Sequence, residues 1–345
     1  MKNNNIIFAP NIHAGGGAVL LNDLIRCSRN SGVKYYLDLR FKKISCIEEN
    51  DEDIFWVRGG VVGRILSEID LWKSSSHKTR ILCLNGIPPL ISSNSDVVIF
   101  IQNRIIIDKV ELKNFKLKTR IRISIERILF FLLKKKVSTF FVQTVSMKNL
   151  LLGKIDRRSQ RVNISPFGSL SLDESMSGKD KWDFIYVADG EAHKNHLNLF
   201  SAWKILSEEG IYPSLAITLS DRDSKVKVLL KEFVEKNKVK IFDIGYVPHK
   251  DICSFYKSSK ALIYPSLVES FGLPLVEASM LSIPIIASEL DYVRDVCAPV
   301  QTFDPESPLS IARAVKRFMQ YKDPNFFFTP PSDFLNEVFE VKNDA

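Results

Sequence analysis

Two glutamates with seven residues between them frame the most chemically suggestive stretch of the chain, Glu269-Ser-Phe-Gly-Leu-Pro-Leu-Val-Glu277. It follows the apolar run Ala261-Leu-Ile-Tyr-Pro265, which is too short for a helix and predicts a buried strand. Gly272 and Pro274 mark the start of a helix, because proline fits the first helical position, where no amide bond is needed. Glu269 is then expected on the loop above the strand's carboxyl end. Glu277 is expected in about the first turn of the helix, pointing back at the same space. Between them the amides of Ser270, Phe271, Gly272 and Leu273 lead into a helix N-terminus, a cradle for a diphosphate. A diphosphate site flanked by two acids suits a sugar nucleotide, with one acid for the ribose hydroxyls and one for the sugar. The plain alternative is a solvated loop acid and an ordinary helix acid.

His193-Lys194-Asn195-His196 follows an apolar run at Phe184–Val187, which places Lys194 at a strand's carboxyl end. A lysine there is a strong point charge for phosphate; otherwise it is an exposed loop residue. Asn11-Ile-His-Ala-Gly-Gly-Gly17 precedes a helical pattern and would let backbone approach a phosphate or sugar. Asp38 ends the next strand, about where a dinucleotide fold keeps its ribose acid, but Leu20 stands in place of the third glycine. Two acidic triplets, Asp51-Glu-Asp53 and Asp221-Arg-Asp223, have the spacing that holds a divalent ion on a diphosphate. Both lie in charged turns and read as solvated surface, so no metal is assigned.

The string Glu269–Glu277, with Phe-Gly-Leu-Pro inside, resembles the signature of the retaining glycosyltransferases of the GT-B fold, glycosyltransferase family 4. The resemblance runs from Phe184 to Ala314 and more thinly over the N-terminal half. Tyr186-Val-Ala and His193-Lys-Asn195 are similar to the family's phosphate-binding strand and loop, and Gly245-Tyr-Val-Pro248 to the turn near the nucleobase. Phe303-Asp-Pro305 and Ile311-Ala-Arg-Ala314 resemble its closing segment. The chain departs from the pattern at Asp189-Gly190, where the family more often has Gly-Arg. The second phosphate cation is therefore missing or supplied by Arg104 or His193.

The resemblance implies transfer of a sugar, with retention, from a nucleoside-diphosphate sugar to a saccharide acceptor, needing no cofactor. Lys194 and the amides after Glu269 would stabilise the departing diphosphate, Glu277 would hold the ribose, and Glu269 would face the donor sugar. Gly16 and Gly17 would line the cleft on the donor side. On the acceptor side stand His13, Asn85 and the loop Gln102-Asn103-Arg104, where many family members carry a histidine. Gln102 and Asn103 can hydrogen-bond sugar hydroxyls but cannot act as a base.

These residues need elements to position them, and the chain supplies alternating strand and helix patterns. Strands are expected at Ile6–Ala9, Lys34–Leu39, Arg80–Leu84, Val97–Ile101 and Phe140–Gln143. The alternation restarts at Lys181, with strands at Phe184–Val187, Ser214–Thr218, Val239–Ile244, Ala261–Tyr264 and Pro284–Ala287. Such alternation predicts an α/β protein with parallel sheets and crossover helices. The expected organisation is a Rossmann-like acceptor domain over 1–168, a linker over 169–180 and a second such domain over 181–330. A tail over 331–345 would cross back to the first domain. Two such domains put a ligand in the cleft between them.

The chain has 345 residues, 45% hydrophobic and 26% charged, enough for two cores. Five cysteines without metal or disulfide spacing point to a reduced, cytoplasmic setting, and no leader or spanning segment is apparent. The net charge of +8 is uneven: residues 1–170 carry 28 Lys and Arg against 14 Asp and Glu, and the remainder carry 20 against 26. The basic residues gather in Lys116–Arg122, Arg127 and Lys134–Lys136, with Leu117, Ile121, Ile125, Ile128 and Leu132 between them at helical spacing. Such a helix either lies on an anionic bilayer or packs with a solvated basic face. Docking there would bring a lipid-linked saccharide acceptor, as in O-antigen or capsule assembly at the inner membrane face. A silent sugar-nucleotide-binding partner is one rival. A nucleic-acid binder is another, disfavoured because no aromatics interleave the basic face.

Overall fold

The computed structural model describes residues 5–321, except 30, 44, 46, 48–52, 85, 92–93, 113–114, 116 and 169–180, together with residue 331. The interdomain linker, nearly all of the C-terminal tail, Asn85 and the pair Asp51-Glu52 therefore lie outside the described residues.

The first sheet contains β1 (Asn5–Ala9), β2 (Lys34–Asp38), β3 (Ile54–Val57), β4 (Arg80–Cys83), β5 (Asp96–Phe100), β6 (Thr139–Val142) and β7 (Arg161–Ile164). The second contains β8 (Trp182–Tyr186), β9 (Leu215–Ile217), β10 (Ile241–Asp243), β11 (Ser259–Tyr264), β12 (Ile285–Ser288) and β13 (Gln301–Phe303). Their orders are β3-β2-β1-β4-β5-β6-β7 and β10-β9-β8-β11-β12-β13, and every pairing is parallel. Parallel sheets of this kind are buried on both faces, which explains why their central strands are almost wholly apolar.

Helices cover both sheets. In the first domain they are α1 (Gly15–Ser28), α2 (Val61–Ser74), α3 (Arg104–Ile107), α4 (Leu117–Leu133) and α5 (Val145–Leu152). In the second they are α6 (His196–Glu208), α7 (Ser224–Asn237), α8 (Ile252–Lys257), α9 (Leu273–Met280), α10 (Asp291–Arg294) and α11 (Pro308–Phe318). Leu20, Leu21 and Ile25 of α1 pack on one face of the first sheet. Leu71 of α2, Phe130 of α4 and Leu151 of α5 pack on the other.

Strand order reverses between β1 and β4 in the first sheet and between β8 and β11 in the second. Ligands of open α/β sheets bind outside the carboxyl ends of the strands at such switch points. In the second sheet this places the loops after β8 and β11 side by side.

Two expectations are corrected. Gly16 and Gly17 do not lie in a loop, because α1 begins at Gly15 and takes both into its first turn. Strands β3, β7 and β13 were not expected; all are sheet edges or edge neighbours, with half-exposed residues and weak apolar patterning. Of the two readings left open for α4, packing of the stripe does not hold: Leu117, Ile121, Ile125, Ile128 and Leu132 are all exposed, and the buried residues are Ile123 and Phe130. No described helix is long and apolar enough to cross a membrane.

Candidate active site

The loop after β8 tightens into a short 3-10 turn, Ala192–Lys194, and turns into α6 through Asn195, whose φ of 62° is left-handed. Asparagine tolerates this conformation better than most residues. Asn195 is also a clamp: its side-chain amide donates to the carbonyls of Pro265 at 3.0 Å and Pro305 at 2.7 Å. The sequence reading put Asn195 on the nucleotide. The buried amide instead ties three loops together, including the expected closing segment at Pro305. Leu267 N donates to His193 O at 2.8 Å, and Tyr186 OH to Lys194 O at 2.6 Å, completing the stitching.

This scaffold brings together the two residues expected to act at the reacting bond. Lys194 Nζ lies 2.6 Å from Glu269 Oε1, with the side chains only 14% and 11% exposed. Tyr264 OH donates to the same oxygen at 2.9 Å. Burial alone would discharge both groups, but each outweighs that effect on the other. The Lys194 pKa is raised above its ordinary value, and the Glu269 carboxyl is held below its own. Both are charged at neutral pH. Lysine has three donor hydrogens, so one bond to Glu269 leaves capacity for a phosphate.

His193 does not supply the second phosphate cation. Burial first, and the Lys194 charge second, lower its pKa and keep it neutral. Its Nδ1 is buried without a hydrogen-bond partner among the described residues, and its ring stacks on Phe115 at 5.9 Å. The other candidate, Arg104, pairs with Asp108 at 2.8 Å.

After β11 the chain reaches α9 through Gly272, at φ 79°, with Pro274 near the start of the helix. No side chain caps this N-terminus. Pro274 has no amide hydrogen and Leu275 N already donates to Gly272 O at 2.9 Å, so a diphosphate here would meet the amides that lead up to Pro274. Ser270 Oγ accepts from the backbone N of Arg104 at 2.6 Å, bridging the two domains. Leu273 packs into the core of the first domain and sits 3.0 Å from where a Cβ on Gly16 would stand. A Cβ on Gly17 would meet Gln102 Oε1 at 2.7 Å. Gly16 thus permits close approach of the second domain, and Gly17 that of the Gln102 loop within the first.

Two cavities border the loop after β11, one at Phe271 and Leu273 and the other at Leu267 and Val268. One, of about 200 Å³, is lined by Phe167 and Val19 from the first domain and by Phe271, Leu273, Glu277 and His249 from the second. The other, of about 280 Å³, lies on the His193 side and is lined by Arg104, Asp108, Phe115, Glu289, Asp291 and Tyr292 among others.

In the first cavity Glu277 is almost fully buried and already engaged. His249 Nε2 lies 2.9 Å from its Oε1, and Tyr256 OH donates to its Oε2 at 2.8 Å. The hydrogen bond to Glu277 raises the His249 pKa, against the effect of burial. A carboxylate has about four acceptor directions, so Glu277 keeps capacity for a ribose. Sequence reasoning missed His249 and Tyr256. The only signal was their nearness to the Gly245–Pro248 turn.

The remaining candidates are less central. Gly245 adopts φ 76° and Tyr246 is exposed, but neither lines the cavities described above. Asn103 Oδ1 accepts from Ile105 N at 3.0 Å and caps α3, and Gln102 Nε2 is buried without a partner among the described residues. His13 Nδ1 is 3.3 Å from Asn11 O. Asp38 is buried and held by three contacts from Arg40, which removes it as a ribose acid. Asp223 is committed to capping: it accepts from Ser220 N and Oγ at 2.9 and 2.7 Å, while Asp221 points to solvent.

Comparison with known proteins agrees with this geometry. Residues 172–325 match the family described as glycosyl transferases group 1. The serotype-specific mannosyltransferase WbdA of Escherichia coli is 30% identical over 157 residues, covering 44% of this chain and 19% of that protein. The O-antigen chain mannosyltransferase RfbU of Salmonella typhimurium is 25% identical over 205 residues, covering 58% and 57%. The chain thus spans about a fifth to just over half the length of these relatives. Among solved structures, sucrose-phosphate synthase of Thermosynechococcus elongatus superposes with TM-score 0.68 at 12% identity, over 92% of this chain and 90% of that one. HepE of Anabaena, in complex with UDP-glucose, superposes with TM-score 0.67 at 13% identity, with the same coverage. With its two parallel α/β domains, the chain has the GT-B fold, and its residues 172–325 are similar to the glycosyl transferases group 1 family.

Proposed function

We propose that this protein transfers a sugar, with retention and without a metal, from a nucleoside-diphosphate sugar to a lipid-linked oligosaccharide in bacterial surface polysaccharide assembly. The observation that carries the reading is the buried Lys194–Glu269 pair on the segment that leads into the uncapped N-terminus of α9. The nucleoside occupies the smaller cavity, its ribose on Glu277. The diphosphate lies along the amides of Ser270–Leu273 that lead into α9 and takes the free donor positions of Lys194. As the anomeric bond breaks, charge grows on the diphosphate, and one such preplaced donor contributes ~10² to 10³ in rate. Glu269 holds donor hydroxyls or steadies positive charge at the anomeric carbon. The relatives' names support mannose as the transferred sugar and O-antigen as the product class. HepE's UDP-glucose complex supports a nucleotide-sugar donor.

The acceptor reading draws on α4. Its exposed apolar stripe lies beside Lys118, Arg120, Arg122 and Lys134–Lys136, a combination that lets a helix rest on an anionic bilayer from the cytoplasmic side.

A thermal-shift panel of nucleosides, nucleoside diphosphates and their sugar conjugates tests the donor assignment. A ligand at ~100 times its dissociation constant adds about 2.7 kcal/mol. One base should raise the melting temperature by several degrees as its diphosphate or sugar conjugate. A panel without any shift would remove the donor reading.

A further inference from the structure

Helix α2 is built inside out. All its charged side chains but Lys73 are wholly or partly buried: Glu68 is 1% exposed, accepts from Arg64 Nε at 2.6 Å, and accepts from the amides of Leu90 and Ile91 at 2.7 and 3.1 Å. The Arg64 guanidinium lies 4.7 Å from the centroid of the Phe8 ring. Asp70 accepts from Tyr36 OH at 2.7 Å. The opposite face carries Val61, Val62, Ile65, Leu66, Ile69 and Trp72, of which Val61, Val62, Leu66 and Trp72 are 76%, 71%, 59% and 53% exposed. At 3.6 residues per turn these six fall within about 140° of the circumference. A soluble surface helix has the reverse arrangement. Contiguous exposed apolar area of this kind marks an interaction site.

Charge indicates what covers it. The loop at Leu90 and Ile91 that Glu68 holds also accepts a hydrogen bond from Lys136 Nζ, at Leu90 O and 2.8 Å. The apolar face of α2 is thereby tied to the basic turn Lys134–Lys136 that ends α4, on the same side of the first sheet. Lys73 follows Trp72 near the end of the helix, and α4, with its own exposed stripe, packs on the same side of the first sheet. Apolar residues with a tryptophan at the edge, bordered by lysines, match the profile of an anionic lipid surface, with acyl chains beneath phosphate headgroups.

We propose that α2 is the inserting element of a membrane-docking surface, with α4 and the turn Lys134–Lys136 supplying the electrostatic part. The inference rests on the peripheral-membrane reading above and adds a second helix with a different physical task. Insertion through apolar contact persists in salt, whereas attraction by lysines is screened over a Debye length of roughly 8 to 10 Å.

Tryptophan fluorescence with vesicles of phosphatidylethanolamine and phosphatidylglycerol, some carrying brominated acyl chains, tests it. Wild type should bind and be quenched. Trp72→Phe should bind comparably but lose most of the quenching. Leu66→Ser/Trp72→Ser should bind at least tenfold more weakly, with the remainder abolished by salt, while its melting temperature and transfer to a soluble acceptor stay unchanged. Binding by the double variant equal to wild type would overturn the role of α2 and leave α4 as the sole docking element. Wild type that never binds would overturn both readings. A wild-type dimer that the double variant makes monomeric, with vesicle binding unchanged, would assign the face to a second copy of the chain instead.

Discussion

Removing the Lys194 ammonium should harm both stability and turnover, and the stability loss should depend on pH. In the folded protein Glu269 is buried, lies 2.6 Å from Lys194, and otherwise receives Tyr264 OH at 2.9 Å. Taking away one partner of a buried ion pair typically costs ~3 to 5 kcal/mol, because the other charge is left uncompensated. At ~2 to 4 °C per kcal/mol for a domain of this size, Lys194→Ala should melt roughly 6 to 20 °C below wild type at pH 8. In wild type, burial raises the Glu269 pKa but Lys194 outweighs it, so the net shift is downward. The pair's stabilisation is therefore present above the unfolded carboxyl pKa of about 4.3 and is lost as pH falls through the folded value. In Lys194→Ala the largest opposing effect is gone, and burial, set against only the hydroxyls of Tyr264 and Ser266 and the neutral His193, raises the folded pKa above about 4.3. The variant's deficit should then be largest at alkaline pH and shrink as pH falls toward 5. Melting temperatures of wild type and variant at pH 5 and pH 8 read this directly. Lys194→Met/Glu269→Leu, which removes both charges, should recover much of the stability while turnover stays down by ~10² to 10³. A deficit of equal size at both pH values, or none, would refute the reasoning.

Glu277→Ala should weaken binding of the cognate nucleotide at least tenfold, since hydrogen bonds to a charged group contribute ~1.5 to 3 kcal/mol each; calorimetry reads the loss. His249 has its folded pKa raised by Glu277, so its pairing stabilises below the unfolded pKa of about 6.5 and is lost as pH rises through the folded value. The melting-temperature gap between wild type and His249→Gln should accordingly narrow from pH 6 to pH 9, and a constant gap would count against the charged pair. Replacing Lys134, Lys135 and Lys136 with Glu should release the protein from anionic vesicles in a sedimentation assay, as elevated salt does to wild type, at about 1 kcal/mol per charge.

Much of the fold was legible because central parallel strands are continuous apolar runs: Ala261–Tyr264 and Phe184–Val187 each overlap an observed strand closely. Of the four edge strands only β10 was legible. Arg161–Ile164 is mostly exposed and polar, and Ile54–Val57 is only half-buried, so neither carries a strong pattern. The start of α1 was misplaced because glycine is a poor helix former, yet Gly15–Gly17 sit in its first turn, where tertiary contacts with Leu273 and Gln102 favour a missing side chain. The glutamate string was readable as a local motif. Its partner Lys194 was placed at the cleft, but the ion pair itself joins residues 75 apart and exists only because β8 and β11 are sheet neighbours. The same holds for His249 and Glu277, 28 apart. The inverted polarity of α2 was invisible because it depends on which face the first sheet covers.

The central claim is that the Lys194–Glu269 junction receives a diphosphate, and paired titrations test it most directly. Calorimetry would compare the cognate nucleoside with its diphosphate, in wild type and in Lys194→Ala. Charge-assisted hydrogen bonds are about twice as strong as neutral ones, so wild type should prefer the diphosphate by tenfold or more. Lys194→Ala should lose most of that preference and keep its nucleoside affinity. A variant that still prefers the diphosphate as strongly as wild type would contradict the account.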